Sequence, residues 1–127
     1  MSPKKPADFP AVQTRLRQIV EPYNGRGLQS KADAQNYLLT GPVTAASRGR
    51  EVWFGGVQTK KNYVSFHLMP VYAFPELLQG ISPALKKRMQ GKSCFNFTQI
   101  DETLFAELAD LAEKGYQRFK EEGLVFD

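Results

Sequence analysis

The first apolar pattern along the chain predicts a helix that begins at about Pro10. Its apolar residues recur at the spacing of one helical face, at Val12, Leu16, Ile19, Val20 and Tyr23. Asp8 is placed to cap this helix, and the Asn-Gly-Arg-Gly run at 24–27 ends it. Residues 1–8, which are rich in Pro and Lys, are predicted to be poorly ordered.

The last part of the chain has the clearest helical pattern. Asp101 is placed at the N-cap and Gly123 just beyond the end of this helix. One apolar stripe follows its face, at Leu104, Leu108, Leu111, Gly115 and Phe119, and is widened by Phe105, Ala112 and Tyr116. A helix with one apolar face needs a second layer against which to bury it.

Alternating apolar residues predict strands between these two helices. Four segments are rich in β-forming residues and are bounded by Gly, Pro or polar residues: Tyr37–Thr40, Val52–Val57, Tyr63–Met69 and Ser93–Phe97. Five residues connect the second segment to the third, which predicts an antiparallel hairpin. Residues 43–50 are predicted to form an exposed loop, and the pair Gly55-Gly56 predicts a bulge or a close backbone approach.

Short helices are predicted between the third and fourth strands. Pro70 ends the third strand, because proline cannot donate to a sheet ladder. Pro75–Leu78 has the composition of a helix start, and a second helix begins with Ser82 as its cap and Pro83 at its first position. Three cations at 86–88 are predicted to lie in its last turn.

These elements predict a two-layer α+β sandwich, in which N- and C-terminal helices pack on a small antiparallel sheet. The length of 127 residues fits one domain, residues 1–127, with a single core. A single cysteine cannot form an internal disulfide, so a cytoplasmic location is expected. No apolar run approaches the roughly 20 residues of a membrane-spanning helix, and no membrane association is expected.

The net charge of +4 is distributed unevenly along the chain. Residues 1–100 have a balance of +9, whereas residues 101–127 have a balance of −5. This asymmetry has two interpretations: attraction of an anionic partner to the basic part, or neutralisation of one part by the other across the folded surface.

The candidate binding site follows from strand alternation. In the third segment Val64, Phe66 and Leu68 share one face, and Tyr63, Ser65 and His67 share the other. In the fourth segment Cys94 and Asn96 lie opposite to the two phenylalanines. The predicted ligand site is therefore the polar face and its rim: Tyr63, Ser65, His67, Cys94 and Asn96, with Trp53 and Lys92.

The chain has one His and one Cys, and both lie in this candidate site. If the two strands pair, His67 activates the Cys94 thiol as a nucleophile or redox sensor, with Asn96 orienting the imidazole. The alternative is that Cys94 is a small buried apolar residue and His67 a structural one.

A set of basic residues is a candidate nucleic-acid surface: Lys60, Lys61, Lys86, Lys87, Arg88 and Lys92. The chain contains no known nucleic-acid-binding motif, and helix-end charge already accounts for the cluster at 86–88. Nucleic acid is therefore not an expected partner.

Three runs carry a resemblance to a known family: WFGGV at 53–57, KNYVSFHLMPVY at 61–72 and SPALKKRMQGKSCFNF at 82–97. They resemble the YdhG-like bacterial family of unknown function, and the likeness covers roughly residues 50–120. Some members of that family are described as frataxin-like. The resemblance thus implies an α/β sandwich with a helix at each end, and it raises iron handling as a function.

A frataxin-like iron site implies a ridge of carboxylates on the first helix and the first strand edge. Here the first helix carries Arg15 and Arg17, with only Glu21 near its end. The remaining acidic candidates lie on the last helix, at Glu102, Glu107, Asp110 and Glu113.

The sequence therefore favours a small binding or accessory protein over an enzyme, with a small anionic or aromatic ligand on one sheet face. The alternatives are an iron chaperone, a thiol-dependent enzyme that uses Cys94 and His67, and an interaction domain that forms a homodimer through the aromatic sheet face.

Overall fold

The computed structural model describes residues 8–126. Within this range six antiparallel strands form one sheet in the order β1-β2-β3-β4-β6-β5: β1 Gln29–Ala32, β2 Asn36–Gly41, β3 Val52–Thr59, β4 Val64–Leu68, β5 Met89–Gln90 and β6 Cys94–Phe97. The α-helices of the same range are α1 Phe9–Val20, α2 Met69–Ala73, α3 Pro83–Lys86 and α4 Glu102–Glu121. Single 3₁₀ turns lie at Glu21–Tyr23 and Pro75–Leu78.

The predicted helix starts are confirmed by their caps. The side chains of Asp8, Ser82 and Asp101 each accept a hydrogen bond, at 3.1 Å, from the backbone N–H three residues ahead. Each bond satisfies a donor that the first helical turn leaves free. The predicted disorder of residues 1–8 concerns, apart from Asp8, residues outside the described range.

The sheet buries one face beneath α1 and α4, which confirms the two-layer α+β sandwich. Phe54 on β3 and Phe97 on β6 are at most 1% exposed. Each packs edge-on against a ring of α4, Phe54 against Phe119 at 5.9 Å and Phe97 against Phe105 at 5.0 Å. We call this side of the sheet the core face and the opposite side the outer face.

Two strands were not predicted, and both lie at the edges of the sheet. β1 is a short, mostly exposed polar strand, and β5 has only two residues.

The assignment of all three cations at 86–88 to a last helical turn is wrong, because α3 ends at Lys86 and the chain enters β5 at Met89.

Gly56 confirms the predicted close backbone approach in β3. A Cβ atom there would lie 2.3 Å from the carbonyl oxygen of Tyr37 on β2, which is inside van der Waals contact. The β2–β3 register also shifts between Leu39 and Thr40, as the predicted bulge requires.

α4 holds the connection between β4 and β5 in place. A Cβ atom at Gly115 would lie 2.8 Å from Cβ of Pro70, so the absent side chain lets α4 approach α2 closely. Further along, both the backbone N–H and the hydroxyl of Ser82 donate to Glu107, at 2.6 Å each. These contacts fix the position of α2 and α3 relative to the core.

Two ion pairs link the basic part of the chain to the acidic last helix. Arg15 pairs with Glu102 through two hydrogen bonds, and Glu76 pairs with Arg118 at 3.1 Å. Only the first pair joins a cation of residues 1–100 to an acid of the last helix and so supports neutralisation across the folded surface; the second pair has the opposite polarity. Among residues 8–126, no helix has the length and apolar character needed to cross a membrane.

Candidate functional site on the outer sheet face

The β4–β6 register places the predicted site residues on one face. His67 lies directly opposite Cys94, and Ser65 lies opposite Asn96. Opposed residues of an antiparallel pair project to the same side of the sheet. Since Phe66, the residue between Ser65 and His67, is fully buried in the core, all four project to the outer face. The predicted strand phase is confirmed.

The Cys94 sulfur lies 3.0 Å from Nδ1 of His67. Burial lowers the pKa of His67 below its usual value, and the positive charge of Lys60 lowers it further. The imidazole is therefore neutral around neutral pH, and a neutral ring nitrogen accepts a proton from a thiol. In the tautomer whose proton is on Nε2, Nδ1 is the nitrogen that can accept the hydrogen of Cys94.

Trp53 completes a cluster with this pair. The ring centroids of Trp53 and His67 are 5.4 Å apart, at an interplanar angle of 37°. The indole N–H donates to the carbonyl of Gly55 at 3.2 Å, which fixes the ring on the sheet surface. With 37% of Trp53 exposed, the indole offers apolar surface to solvent. We call Trp53, His67 and Cys94 the outer-face patch.

Leu38 and Gly56 support the patch, a role that was not predicted from the sequence for either residue. Gly56 lies opposite both Leu38 on β2 and His67 on β4. The Leu38 side chain fills the space above Gly56, where Cδ2 would lie 2.9 Å from a Cβ atom. The alternation of β2 is the signal that places Leu38 on this face. That Gly56 lies beside Leu38 follows only from the pairing of β2 with β3, which the sequence does not show.

Asn96 does not orient the imidazole, and this part of the prediction is wrong. Its amide nitrogen donates instead to Gln90 Oε1 at 2.6 Å, on the edge strand β5. The Asn96 carbonyl oxygen and His67 Nε2 are both buried without a hydrogen-bond partner. Asn96 is paired with Ser65, whereas His67 is paired with Cys94, two residues before Asn96. The Asn96 amide is hydrogen-bonded to β5 instead of to the imidazole.

The other predicted site residues lie apart from the patch. Ser65 shares the outer face but is only 3% exposed. Tyr63 precedes β4 and is partly buried. Lys92 lies in the turn between β5 and β6, where it lines a separate groove with Tyr72.

The acidic residues of α4 do not form a shared metal site. Each of the four carboxylates has its own partner: Glu102 binds Arg15, Glu107 binds Ser82, Asp110 binds Lys114, and Glu113 accepts a hydrogen bond from the Tyr23 hydroxyl. In the part of the chain that the structure describes, no three His, Cys, Asp or Glu residues are close enough to hold a metal ion. The geometry therefore does not favour the iron alternative.

Comparisons with known proteins leave the family open: no protein family matches the chain, and neither a curated protein nor a solved structure shows a significant match. Membership of the YdhG-like family stays a prediction from the three motif runs.

Proposed function

We propose that this chain is a small cytoplasmic binding or accessory protein of the YdhG-like type, which holds a planar ligand on the outer face of its sheet. The observation that carries the proposal is the outer-face patch. Three chemically distinct side chains from three adjacent strands meet there: Trp53, His67 and Cys94. The single free cysteine is the feature that supports a cytoplasmic location.

The chemistry of the patch favours an aromatic ligand that is neutral or anionic. A partly exposed indole is a stacking surface, and such contacts are worth roughly 0.5–1.5 kcal/mol beyond area burial. The neutral His67 ring lies beside the indole and adds uncharged aromatic surface on which a planar ligand can pack. The nearby cation that lowers the His67 pKa, Lys60, disfavours a cationic ligand.

A titration monitored by tryptophan fluorescence tests this proposal, because Trp53 is the only tryptophan. Adenine and nicotinamide serve as neutral heteroaromatic probes. We expect a saturable change in Trp53 emission, and a roughly tenfold weaker apparent affinity in His67→Ala, as expected for the loss of a ring contact worth up to about 1.5 kcal/mol. The matched control is Tyr72→Ala, which removes an exposed ring outside the patch. A linear response without saturation, or equal losses in both variants, would contradict the proposal.

A thiol-dependent reaction is the second candidate function, and the 3.0 Å contact between Cys94 and His67 favours it. A neutral imidazole at this distance accepts the thiol proton as the sulfur attacks an electrophile. The alkylation experiment described in the Discussion distinguishes this function from simple binding.

A homodimer through the outer face is a further alternative, because it would cover the exposed indole of Trp53. Sedimentation velocity across a range of protein concentrations tests it. Concentration-dependent dimers whose formation blue-shifts Trp53 emission would favour this alternative over a small-molecule ligand.

A further inference from the structure

A groove separate from the outer-face patch lies where α2 and the following 3₁₀ turn meet the β5–β6 turn. Its volume is about 510 Å³. This is within the roughly 300–1,000 Å³ typical of small-molecule sites. Apolar residues form its walls: Val71, Pro75, Leu78 and Met89.

One hydrogen bond holds the two sides of the groove together. The backbone N–H of Leu68, at the end of β4, donates to the carbonyl of Ser93 at 2.9 Å. The chain continues from Leu68 directly into α2, which carries Tyr72, and the β5–β6 turn that contains Ser93 also carries Lys92. Tyr72 and Lys92 are thus attached to backbone segments that are fixed to each other.

The groove combines one exposed aromatic ring with one cation. Tyr72 is 55% exposed, an unusual environment for a large ring beside apolar walls. Lys92 is the only charged residue among those that line the groove, and it forms no ion pair with another residue in the range 8–126.

The segment that supplies Met89, Gly91 and Lys92 to the groove is basic in sequence. Residues 77–100 contain four cations and no acid. The preceding acid, Glu76, is paired with Arg118 at 3.1 Å. A ligand with an anionic group therefore meets an uncompensated cation at Lys92, beside apolar surface that gains from being covered.

We infer that this groove binds a small organic monoanion, whose sulfonate or carboxylate contacts Lys92 and whose aromatic body packs on Tyr72 and the apolar walls. This site is independent of the ligand proposed for the outer-face patch, since none of the groove residues belongs to the patch.

A matched pair of fluorescent probes tests the inference. Anilinonaphthalene sulfonate has the required anion and aromatic body, and N-phenylnaphthylamine has the same ring system without the sulfonate. We expect Lys92→Gln to weaken binding of the sulfonate roughly fivefold or more, as for the loss of one charge-assisted hydrogen bond near the surface, and to leave the neutral probe unchanged. Tyr72→Ala weakens both probes.

The controls separate this site from other surfaces. Lys61→Gln removes a cation at the tip of the β3–β4 hairpin and should leave the affinity of both probes unchanged. The inference is overturned if the sulfonate shows no saturable binding, or if Lys92→Gln and Lys61→Gln weaken it equally. Because Tyr72 and Lys92 are exposed, both variants are expected to keep the fold, and Lys92→Gln decides alone if Tyr72→Ala does not.

Discussion

The thiol of Cys94 and the imidazole of His67 are in direct contact because these residues are opposed across the β4–β6 pair, with Sγ 3.0 Å from Nδ1. Both side chains project away from the hydrophobic core. A register shift of one residue would turn His67 toward the core face, so the contact depends on the apolar alternation of both strands.

The first prediction concerns the reactivity of Cys94. Because the neutral imidazole accepts the thiol proton, His67→Gln should slow alkylation by iodoacetamide at about pH 7 by roughly tenfold, less than the roughly hundredfold or more that a positioned base contributes in an enzyme. Cys94→Ser provides the blank, since the chain has one cysteine. Equal rates with and without the imidazole would remove the thiol-dependent function.

The second prediction concerns stability against pH. The pKa of His67 is lowered in the folded protein, first by burial and then by Lys60, so the unfolded chain binds this proton at a higher pH than the folded chain does. Stability should therefore be independent of this group above about pH 6.5 and fall as the pH drops below about 6.5, with a slope of at most about 1.4 kcal/mol per pH unit.

Denaturant unfolding between about pH 5.5 and 7.5 measures this slope. His67→Gln should flatten it, because the chain has no other histidine. The contribution of Glu102, whose pKa is lowered by Arg15, is lost only at more acidic pH. A slope that persists unchanged in the variant would show that His67 is not its source.

The third prediction concerns the contact between α4 and α2. Gly115→Ala should destabilise the protein by about 1–3 kcal/mol, because the new methyl group would lie 2.8 Å from the rigid ring of Pro70. This cost outweighs the gain of about 1 kcal/mol in helix propensity. The double variant Pro70→Ala with Gly115→Ala should recover part of the loss in thermal unfolding. If Gly115→Ala alone raises the unfolding temperature, the close approach is absent.

The fourth prediction concerns the link between α3 and α4. Ser82 caps α3 through the N–H of Leu85 and donates to Glu107. Ser82→Ala should lower the free energy of unfolding by about 1–2 kcal/mol, because α3 loses its side-chain cap and the Glu107 carboxylate loses one hydrogen-bond donor. Ser82→Thr keeps the hydroxyl and is the matched control. Similar losses in both variants would argue against the role of the hydroxyl.

Much of the fold could be predicted because its strong signals are local. The caps at Asp8, Ser82 and Asp101 and the alternation of β4 and β6 depend on residues close in sequence. The contact between His67 and Cys94 could be expected only by assuming that these strands pair, since the residues between them contain no long element that would fix their order.

The rest could not be predicted because it depends on short or distant elements. β5 has two residues, which are too few to show any alternation. Its Gln90 nevertheless accepts the hydrogen bond of the Asn96 amide, which was expected to orient His67. The groove combines Tyr72 with Lys92, which are brought together by the hydrogen bond between Leu68 and Ser93. Lys92 was expected at the rim of the outer face, and strand alternation could not show that it lines this groove.

The most direct test of the outer-face patch is a titration of the labelled protein with adenine, followed in its amide NMR spectrum. The account predicts saturable shifts of the Trp53 indole N–H and of the backbone amides of His67 and Cys94, which lie together on the sheet. Saturable shifts confined to other parts of the chain, with these three signals unmoved, would contradict it.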